Sequence, residues 1–253
     1  MFPVIKVGPF AIQSPILILL AGFYLATISI GKSAKNLNLD TRKVENVILF
    51  CAAAGFLGAR LGFVLQNLDA FTNNWVSIFS LNGTMLDVSS GLLFSFIIGL
   101  ILLRKYNIQE LKFLDAVSMG GVIFVISVFM SSFSSGNDLG SATKLVWGID
   151  FAGKTRHPVQ IYEMLTIIAL VFIVWFLNKK KILTLPVGGL FFTNAALLAT
   201  AILILDVFHE YSDYVLGGRQ DQVIAWIILA ISLILLEWLY RKENKMSEGK
   251  RKD

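Results

Sequence analysis

Seven long apolar segments, separated by short polar ones, occupy most of the chain. A helix needs about 20 mostly apolar residues to cross the hydrocarbon core of a bilayer, and each segment is close to that length. The segments are Phe10–Gly31, Asn46–Leu65, Leu86–Leu103, Phe113–Phe133, Val159–Leu177, Leu185–Leu205 and Val223–Tyr240. The pattern therefore predicts an all-α integral membrane protein with seven transmembrane helices.

Little of the chain remains for a soluble domain. We expect a single seven-span membrane domain over residues 1–240, followed by a short charged cytoplasmic tail over residues 241–253. The tail has few apolar residues to bury, so we expect it to be disordered. The first apolar run follows only one basic residue, Lys6, and has no small-residue cleavage site, which favours a retained span over a signal peptide.

Basic residues are distributed unevenly among the loops, and this sets the expected orientation. Sixteen of the 22 Lys and Arg residues lie in loops 32–45, 104–112 and 178–184 or in the tail, whereas five lie in the N-terminal segment and the other three loops. The positive-inside rule then predicts an N-terminus outside and a C-terminus in the cytoplasm. The net charge of +5 is therefore a topology signal, and we expect no nucleic-acid partner.

Composition agrees with the membrane interpretation and narrows the chemistry. Hydrophobic residues make up 56% of the chain and charged residues 15%, below the roughly 25% charged residues of soluble domains. The mean hydropathy is +0.72. One cysteine, Cys51, excludes an intramolecular disulfide, and with only two histidines a Cys/His zinc site is also excluded. We expect no metal and no cofactor.

Charged side chains within spans are costly and usually mark pathways or sites. Arg60 is the only basic residue inside a predicted span, and Glu163 lies at a similar depth in the fifth span. A pair between these two groups would offset much of their desolvation cost. The alternative is that each side chain reaches the membrane surface separately. We favour a buried position for Arg60.

Other polar residues fall on the same side of the membrane in the predicted topology. They are Ser89 and Ser90, the run Ser131 to Asp138, Arg156, His157, Gln160, Asp206 and His209. Asn194 lies near the middle of the sixth span, where a hydrogen bond between helices is the expected use. Ala54, Gly58 and Gly62 recur every four residues around Arg60 and predict a close helix contact. These positions predict a site towards the outer leaflet.

Four stretches carry a resemblance to a known family: GARLGFVL (58–65), DVSSGLLFS (87–95), GSATKLVWGID followed by RHPVQIYE (156–163), and GGLFF (188–192) with GGRQDQ (217–222). Together they resemble the bacterial prolipoprotein diacylglyceryl transferase family. The resemblance implies a multi-pass enzyme of the bacterial plasma (inner) membrane that transfers diacylglycerol from phosphatidylglycerol to a lipobox cysteine. It also implies two partners, a phospholipid and the signal segment of an exported preprotein.

The resemblance and the polar pattern together give a set of candidate site residues. Arg60 and Arg156 would bind the phosphate, because a guanidinium can donate two hydrogen bonds to it, and His157 or His209 would act as the base. Candidate substrate-binding residues are Ser89, Ser132, Ser135, Gly136, Asn137, Gly140, Gln160, Tyr162, Glu163 and Arg219.

The chain departs from the family pattern at several charged positions. The family arginine at the end of the fourth span falls on Phe129, and its third-span histidine falls on Ser89. Ser132 and Ser135 replace two family asparagines, and Asn137 replaces a family acid. In the sixth-span segment, where the family usually carries arginines and a glutamate, this chain has Ile202, Asp206 and His209. Three hypotheses follow: a transferase with a rewired site, a catalytically inactive homologue that binds phospholipid or lipoprotein signal segments, and an unrelated seven-span transporter.

Overall fold

The computed structural model describes residues 4–7, 10–72, 77–78, 85–137, 140–151, 153–210, 214–215 and 218–249. Its helices are α1 (Ser14–Asn36), α2 (Thr41–Gln66), α3 (Leu68–Phe71), α4 (Val88–Lys105), α5 (Glu110–Ser135), α6 (Val159–Lys179), α7 (Gly189–Leu205) and α8 (Gln220–Gly249). Its strands are β1 (Val4–Val7), β2 (Phe10–Gln13), β3 (Ile149–Phe151), β4 (Lys154–Arg156), β5 (Tyr214–Val215) and β6 (Gly218–Arg219).

Within the described residues, seven helices are long and apolar enough to span a membrane, and they are all the helices except α3. This confirms the all-α, seven-span prediction. The strands form three separate antiparallel pairs, β1 with β2, β3 with β4, and β5 with β6. The orientation of the termini stays a prediction.

The first predicted span and the predicted tail both differ from the structure. The first span was expected from Phe10, but residues 10–13 form strand β2 and the helix begins at Ser14, where Pro15 suits a first helical turn because it needs no N–H partner there. The tail was expected to be disordered, yet α8 continues past Arg241, Lys242 and Lys245 to Gly249. An ion pair between Arg241 and Glu237, one turn apart, accompanies that extension.

Close contacts divide the chain into two compact units, one formed by residues 31–113 and the other by residues 1–30 and 114–253. The prediction of one membrane domain over residues 1–240 stays a prediction. In the unit of residues 31–113, α2 packs against α4. A Cβ on Gly58 would meet Phe94, and one on Gly62 would meet Ser90. The predicted close helix contact at these small residues is therefore confirmed.

The other unit has a buried polar seam between α5 and α7. The Asn194 amide donates to Ser118 Oγ at 2.8 Å, which confirms the predicted hydrogen bond between helices. Asp115 accepts from the backbone N–H groups of Gly188 at 2.6 Å and Phe191 at 3.2 Å. It thereby caps the start of α7, whose first N–H groups have no partner within the helix.

A short connector orders the polar end of this unit. Gly140 forms a β-bridge with His209, and Ala142 forms one with Arg156. The N–H of Ser141 donates to Phe208 O at 2.7 Å. Through these bonds, residues 140–142 tie the 3₁₀ turn of residues 206–208 to strand β4.

Candidate active site

Four helix ends of the unit formed by residues 1–30 and 114–253 enclose a cavity of about 270 Å³. They are the C-terminal ends of α5 and α7, with the 3₁₀ turn, and the N-terminal ends of α6 and α8. The apolar lining residues are Val128, Phe129, Ile202, Ile224, Ala225 and Ile228. The polar lining residues are Ser132, Gln160, Glu163, Asp206, His209 and Asp221. The cavity is therefore amphipathic and lies between membrane-spanning helices.

His209 and Glu163 form a buried acid–imidazole pair in the cavity wall. His209 Nε2 lies 3.4 Å from Glu163 Oε1, and the two side chains are 14% and 7% exposed. Glu163 lies one turn into α6, and the backbone of His209 is held by its bridge to Gly140. An Nε2–H that faces the carboxylate makes Nδ1 the basic nitrogen of the ring. The arrangement is that of a base oriented by an acid.

Asp206 joins the 3₁₀ turn to the start of α8. Arg219 Nη1 donates to the backbone O of Asp206 and forms an ion pair with its Oδ2, both at 3.0 Å. Gln222 Nε2 donates to the same Oδ2 at 2.7 Å. Arg219 Nη2 also donates to the backbone O of His209 at 2.9 Å. Arg219 therefore fixes the turn that carries both Asp206 and His209.

Arg156 lies at the end of β4 and is buried, with 8% of its surface exposed. Its guanidinium forms an ion pair with Glu210 and donates to Gly140 O at 3.2 Å. A Cβ at Gly140 would overlap the backbone O of His157. The glycine thus permits the close approach of the connector to the residues that precede α6.

The end of α5 is a glycine-terminated turn. Gly136 has φ of +77°, a conformation that glycine adopts without strain. The N–H of Gly136 bonds to Phe133 O at 3.3 Å and that of Asn137 bonds to Ser132 O at 3.2 Å, which is the Schellman pattern. Gln160 then donates to Asn137 O at 2.7 Å and joins this turn to α6.

His157 and Tyr162 belong to an aromatic cluster and are not among the residues that line the cavity. The His157 ring lies 5.0 Å from the Phe208 ring, and its Nδ1 is 3.2 Å from Tyr162 Oη. The Trp147 indole N–H donates to the same hydroxyl at 2.9 Å. The N–H of Val159 donates to His157 O, which agrees with a structural role at the start of α6.

Arg60 and Ser89 lie in the unit of residues 31–113. The guanidinium of Arg60 donates to three backbone carbonyls, those of Ser77 at 2.6 Å, Ile78 at 2.8 Å and Met85 at 2.8 Å. Arg60 is 8% exposed, so the predicted burial is confirmed. Ser89 is exposed in the first turn of α4.

Asp87 caps α4 and accepts from Ser90 N at 2.8 Å. Hydrogen bonds from Ser90, through its hydroxyl and then its backbone N–H, hold the pKa of the Asp87 carboxyl below its ordinary value. The Asp87 carboxylate therefore stays ionised in neutral solution, and its negative charge interacts favourably with the dipole at the N-terminus of α4.

The model of the prolipoprotein diacylglyceryl transferase family matches residues 3–238. The chain belongs to this family. Three similar relatives carry the name phosphatidylglycerol–prolipoprotein diacylglyceryl transferase. The relative from Clostridioides difficile strain 630 is 26% identical, with 92% of this chain and 93% of the relative covered. The relative from Rickettsia canadensis strain McKiel is 28% identical, with 92% of this chain and 93% of the relative covered. The relative from the Wolbachia pipientis strain of Culex pipiens is 28% identical, with 94% of this chain and 92% of the relative covered.

Family membership, shown by the match, confirms the resemblance and overturns the hypothesis of an unrelated transporter. Together with the seven apolar helices, it makes the chain a multi-pass protein of the bacterial plasma membrane. The chain is diacylglyceryl transferase-like in its sequence and architecture.

The structure brings some of the predicted site residues together and leaves others apart from the cavity. Ser132, Gln160, Glu163 and His209 line it. Arg219 contacts Asp206 and His209, and Asn137 contacts Gln160. Gly140, which accepts from Arg156, forms a bridge with His209. Ser135, Gly136, His157 and Tyr162 shape neighbouring turns.

Arg60 and Glu163 each find partners within their own unit, so neither charge requires the predicted pair. Sequence reasoning missed Glu210 and Asp221 as members of the site. Glu210 directly follows His209, and Asp221 lies within GGRQDQ, so the motif positions were the available signal.

At two positions of the cavity wall, the resemblance predicts charged residues that this chain lacks. Phe129 and Ile202 both line it, at positions where the resemblance places arginines or other charged residues of the family. None of the lining residues in the described part of the chain is Lys or Arg. The nearby arginines, Arg156 and Arg219, are paired with Glu210 and Asp206.

Proposed function

We propose that the protein transfers a diacylglyceryl group from a phospholipid to the thiol of a lipobox cysteine, at the cavity described above. The observation that carries this proposal is the buried pair of His209 and Glu163 at a cavity with apolar walls. A lipid substrate needs the apolar walls, and a thiol nucleophile needs a base. The names of the relatives, which mention phosphatidylglycerol and prolipoprotein, support the same reaction.

The proposed reaction assigns the proton and the bonds as follows. His209 Nδ1 accepts the thiol proton, since the thiolate is the reactive form. The thiolate attacks the glycerol carbon that carries the phosphate ester. A C–S bond forms, the C–O bond breaks, and the headgroup leaves as its phosphate monoester with the electron pair and then takes up the proton held by His209. Glu163 stabilises the imidazolium that results, as the acid of a catalytic pair does.

Arg156 and Arg219 are the proposed source of positive charge for the departing phosphate. Each is held by backbone carbonyls near the cavity, and each has an acidic partner. A phosphate would compete with Glu210 for Arg156, which is possible because an arginine has five N–H donors. Arg60 is assigned to holding the carbonyls of residues 77, 78 and 85 in place.

In the predicted topology, the four helix ends around the cavity face the outside of the cell. This orientation rests on the excess of Lys and Arg in the other set of loops. An exported preprotein would then meet the cavity at the outer leaflet, with the lipid donor beside it.

A second candidate function is binding without transfer, to phospholipid or to a lipoprotein signal segment. Phe129 and Ile202 in the cavity wall favour it, because an apolar side chain cannot stabilise the charge that develops on a leaving phosphate.

Complementation separates the two functions. The chain would be expressed in cells depleted of their own diacylglyceryl transferase, with lipidation of a reporter lipoprotein followed by mass spectrometry. We expect the transferase to restore the lipidated reporter and His209→Ala to abolish the rescue. A correctly inserted wild-type protein that gives no lipidated reporter would exclude transfer to that substrate and leave the binding function.

A further inference from the structure

A turn with apolar residues at its corners lies between the connector and strand β3. The N–H of Gly148 donates to Leu145 O at 3.0 Å and closes a turn whose two central residues are Val146 and Trp147. Such positions usually carry Gly, Pro, Asn, Asp or Ser. Here Val146 is 98% exposed, Trp147 is 62% exposed and Leu145 is exposed beside them. Residues 145–147, which we call the apolar tip, therefore present a contiguous hydrophobic surface.

Hydrogen bonds and packing hold the apolar tip in a defined conformation. The N–H of Thr143 donates to Thr155 O at 2.9 Å, and the N–H of Leu145 donates to Thr143 Oγ1 at 3.3 Å. A Cβ at Gly148 would overlap the methyl group of Thr155, so the end of the turn packs directly against strand β4. The exposed side chains are thus presented by an ordered backbone.

Trp147 fixes the level of the apolar tip relative to α6. Its indole N–H donates to Tyr162 Oη at 2.9 Å, and Tyr162 lies in the first turn of α6. The helix has 21 residues and is therefore about 31 Å long at 1.5 Å per residue, close to the roughly 30 Å thickness of the hydrocarbon core. The first turn of α6 then lies at the boundary between headgroups and acyl chains, with the apolar tip beside it.

The exposed face of α6 shows what covers this region. Leu165, Ile168 and Phe172 are exposed and follow Tyr162 at spacings of three or four residues, which places them on one face of the helix. Residues 164–178 contain no charged side chain, and α6 is one of the seven helices able to span a membrane. Acyl chains therefore cover this face, and the apolar tip lies where the face reaches the membrane boundary.

We propose that the apolar tip inserts into the phospholipid bilayer at the start of α6, with Trp147 in the headgroup layer. Trp suits this layer because it combines an apolar ring with one N–H donor, and Trp and Tyr are enriched at membrane boundaries. Leu145 and Val146 contact the upper methylenes of the acyl chains. Lys144, exposed next to the apolar tip, pairs with a lipid phosphate. The partner of this surface is thus the lipid bilayer itself.

The inserted tip is linked to the turn that carries His209. Tyr162, which binds the Trp147 indole, packs against the Phe208 ring with 5.8 Å between ring centroids. The His157 ring packs against the same phenyl ring at 5.0 Å, and Phe208 directly precedes His209 in the chain. Insertion of the tip therefore also sets the height of this turn relative to the lipid headgroups.

Depth measurements with a nitroxide label test the insertion. The full chain carries Cys51→Ser, which removes its one cysteine, and the label is attached at Val146→Cys. Single copies are placed in nanodiscs of phosphatidylglycerol and phosphatidylcholine. Collisions of the label with oxygen, which concentrates in lipid, are compared with collisions with a water-soluble nickel chelate. We expect a depth of about 5–10 Å into the boundary between headgroups and acyl chains.

Two further labelled positions calibrate the measurement. Ile168→Cys, on the exposed face of α6, should report lipid. Lys245→Cys, exposed on the extension of α8 beyond its apolar segment, should report water. A label at residue 146 that is as accessible to nickel as the label at residue 245 would overturn the proposal. Low collision rates with both reagents would also overturn it, because they would show that protein covers the apolar tip.

A second labelled position and a second substitution make the test independent of one variant. Leu145→Cys should report a similar depth if the change at Val146 disturbs the turn, and water exposure at both positions refutes insertion. Trp147→Phe, combined with the label at residue 146, keeps an aromatic ring but removes the indole donor. It should increase the mobility of the label, and unchanged mobility would contradict the role of the bond to Tyr162. These measurements need no substrate, so their outcome does not depend on the proposed function.

Discussion

Replacing Glu163 with Gln tests the base assignment at the cavity. The carboxylate lies 3.4 Å from His209 Nε2, and both side chains are largely buried. With an effective dielectric constant of about 20, two unit charges at this distance interact by about 5 kcal/mol. The Gln carbonyl retains a neutral hydrogen bond, so we expect a net loss of roughly 3–4 kcal/mol when the imidazolium forms. This corresponds to a decrease in kcat of about 10²–10³-fold.

The assay measures kcat and KM separately with the full chain in lipid nanodiscs and a synthetic lipobox peptide. Since Glu163 acts on the charged form of His209, the loss should appear in kcat, with KM changed by less than about threefold. Glu237→Gln is the matched control, because that glutamate is exposed and pairs with Arg241 one turn away. A folded E163Q protein with kcat within about threefold of wild type would refute the role of the pair.

Arg60→Met removes the guanidinium that donates to three backbone carbonyls, and we expect thermal unfolding in detergent to show a loss of about 3 kcal/mol; an unchanged midpoint would contradict the anchoring role. Asp115→Ala removes the acceptor of two N–H groups at the start of α7 and should cost about 1–2 kcal/mol in the same assay. Because the pKa of Asp87 is lowered in the folded protein, the ionised carboxylate stabilises the fold fully above the ordinary aspartate pKa. This stabilisation is lost as the pH falls through the pKa that Asp87 has in the folded protein. Asp87→Asn should therefore remove part of the acid-induced loss of stability measured below about pH 4. Phe129→Arg adds a guanidinium to the cavity and should raise phosphatidylglycerol binding about tenfold in native mass spectrometry, whereas an unaltered lipid preference would argue against charge as the determinant.

The spans could be predicted because their signal is long and local. A run of about 20 apolar residues is long enough for a helix to cross the hydrocarbon core, and this length alone predicts all seven helices. Their ends could not be predicted as well, since they depend on caps and pairings. Residues 10–13 are apolar enough for a helix, yet they pair with β1.

The sequence predicted which residues belong to the candidate site better than it predicted which of them contact one another. The polar pattern placed Gln160, Glu163 and His209 on one side of the membrane, and the cavity brings them together. The partner of Glu163 was predicted to be Arg60, because only a residue's depth in the membrane can be read from sequence. Which side chain faces which depends on helix rotation and on the backbone of the connectors. For the same reason, the pairing of Arg156 with Glu210 had no sequence signal.

The carbonyls around Arg60 have a consequence for how the protein enters the membrane. An arginine within a span is expensive to transfer from water to lipid, and the groups that solvate this one belong to residues 77, 78 and 85, which are synthesised after α2. The segment that follows α2 must therefore emerge from the ribosome before the part of α2 that carries Arg60 reaches a stable depth. We infer that α2 and α4 are released into the bilayer as a pair, so that the backbone carbonyls of residues 77, 78 and 85 solvate the Arg60 guanidinium there.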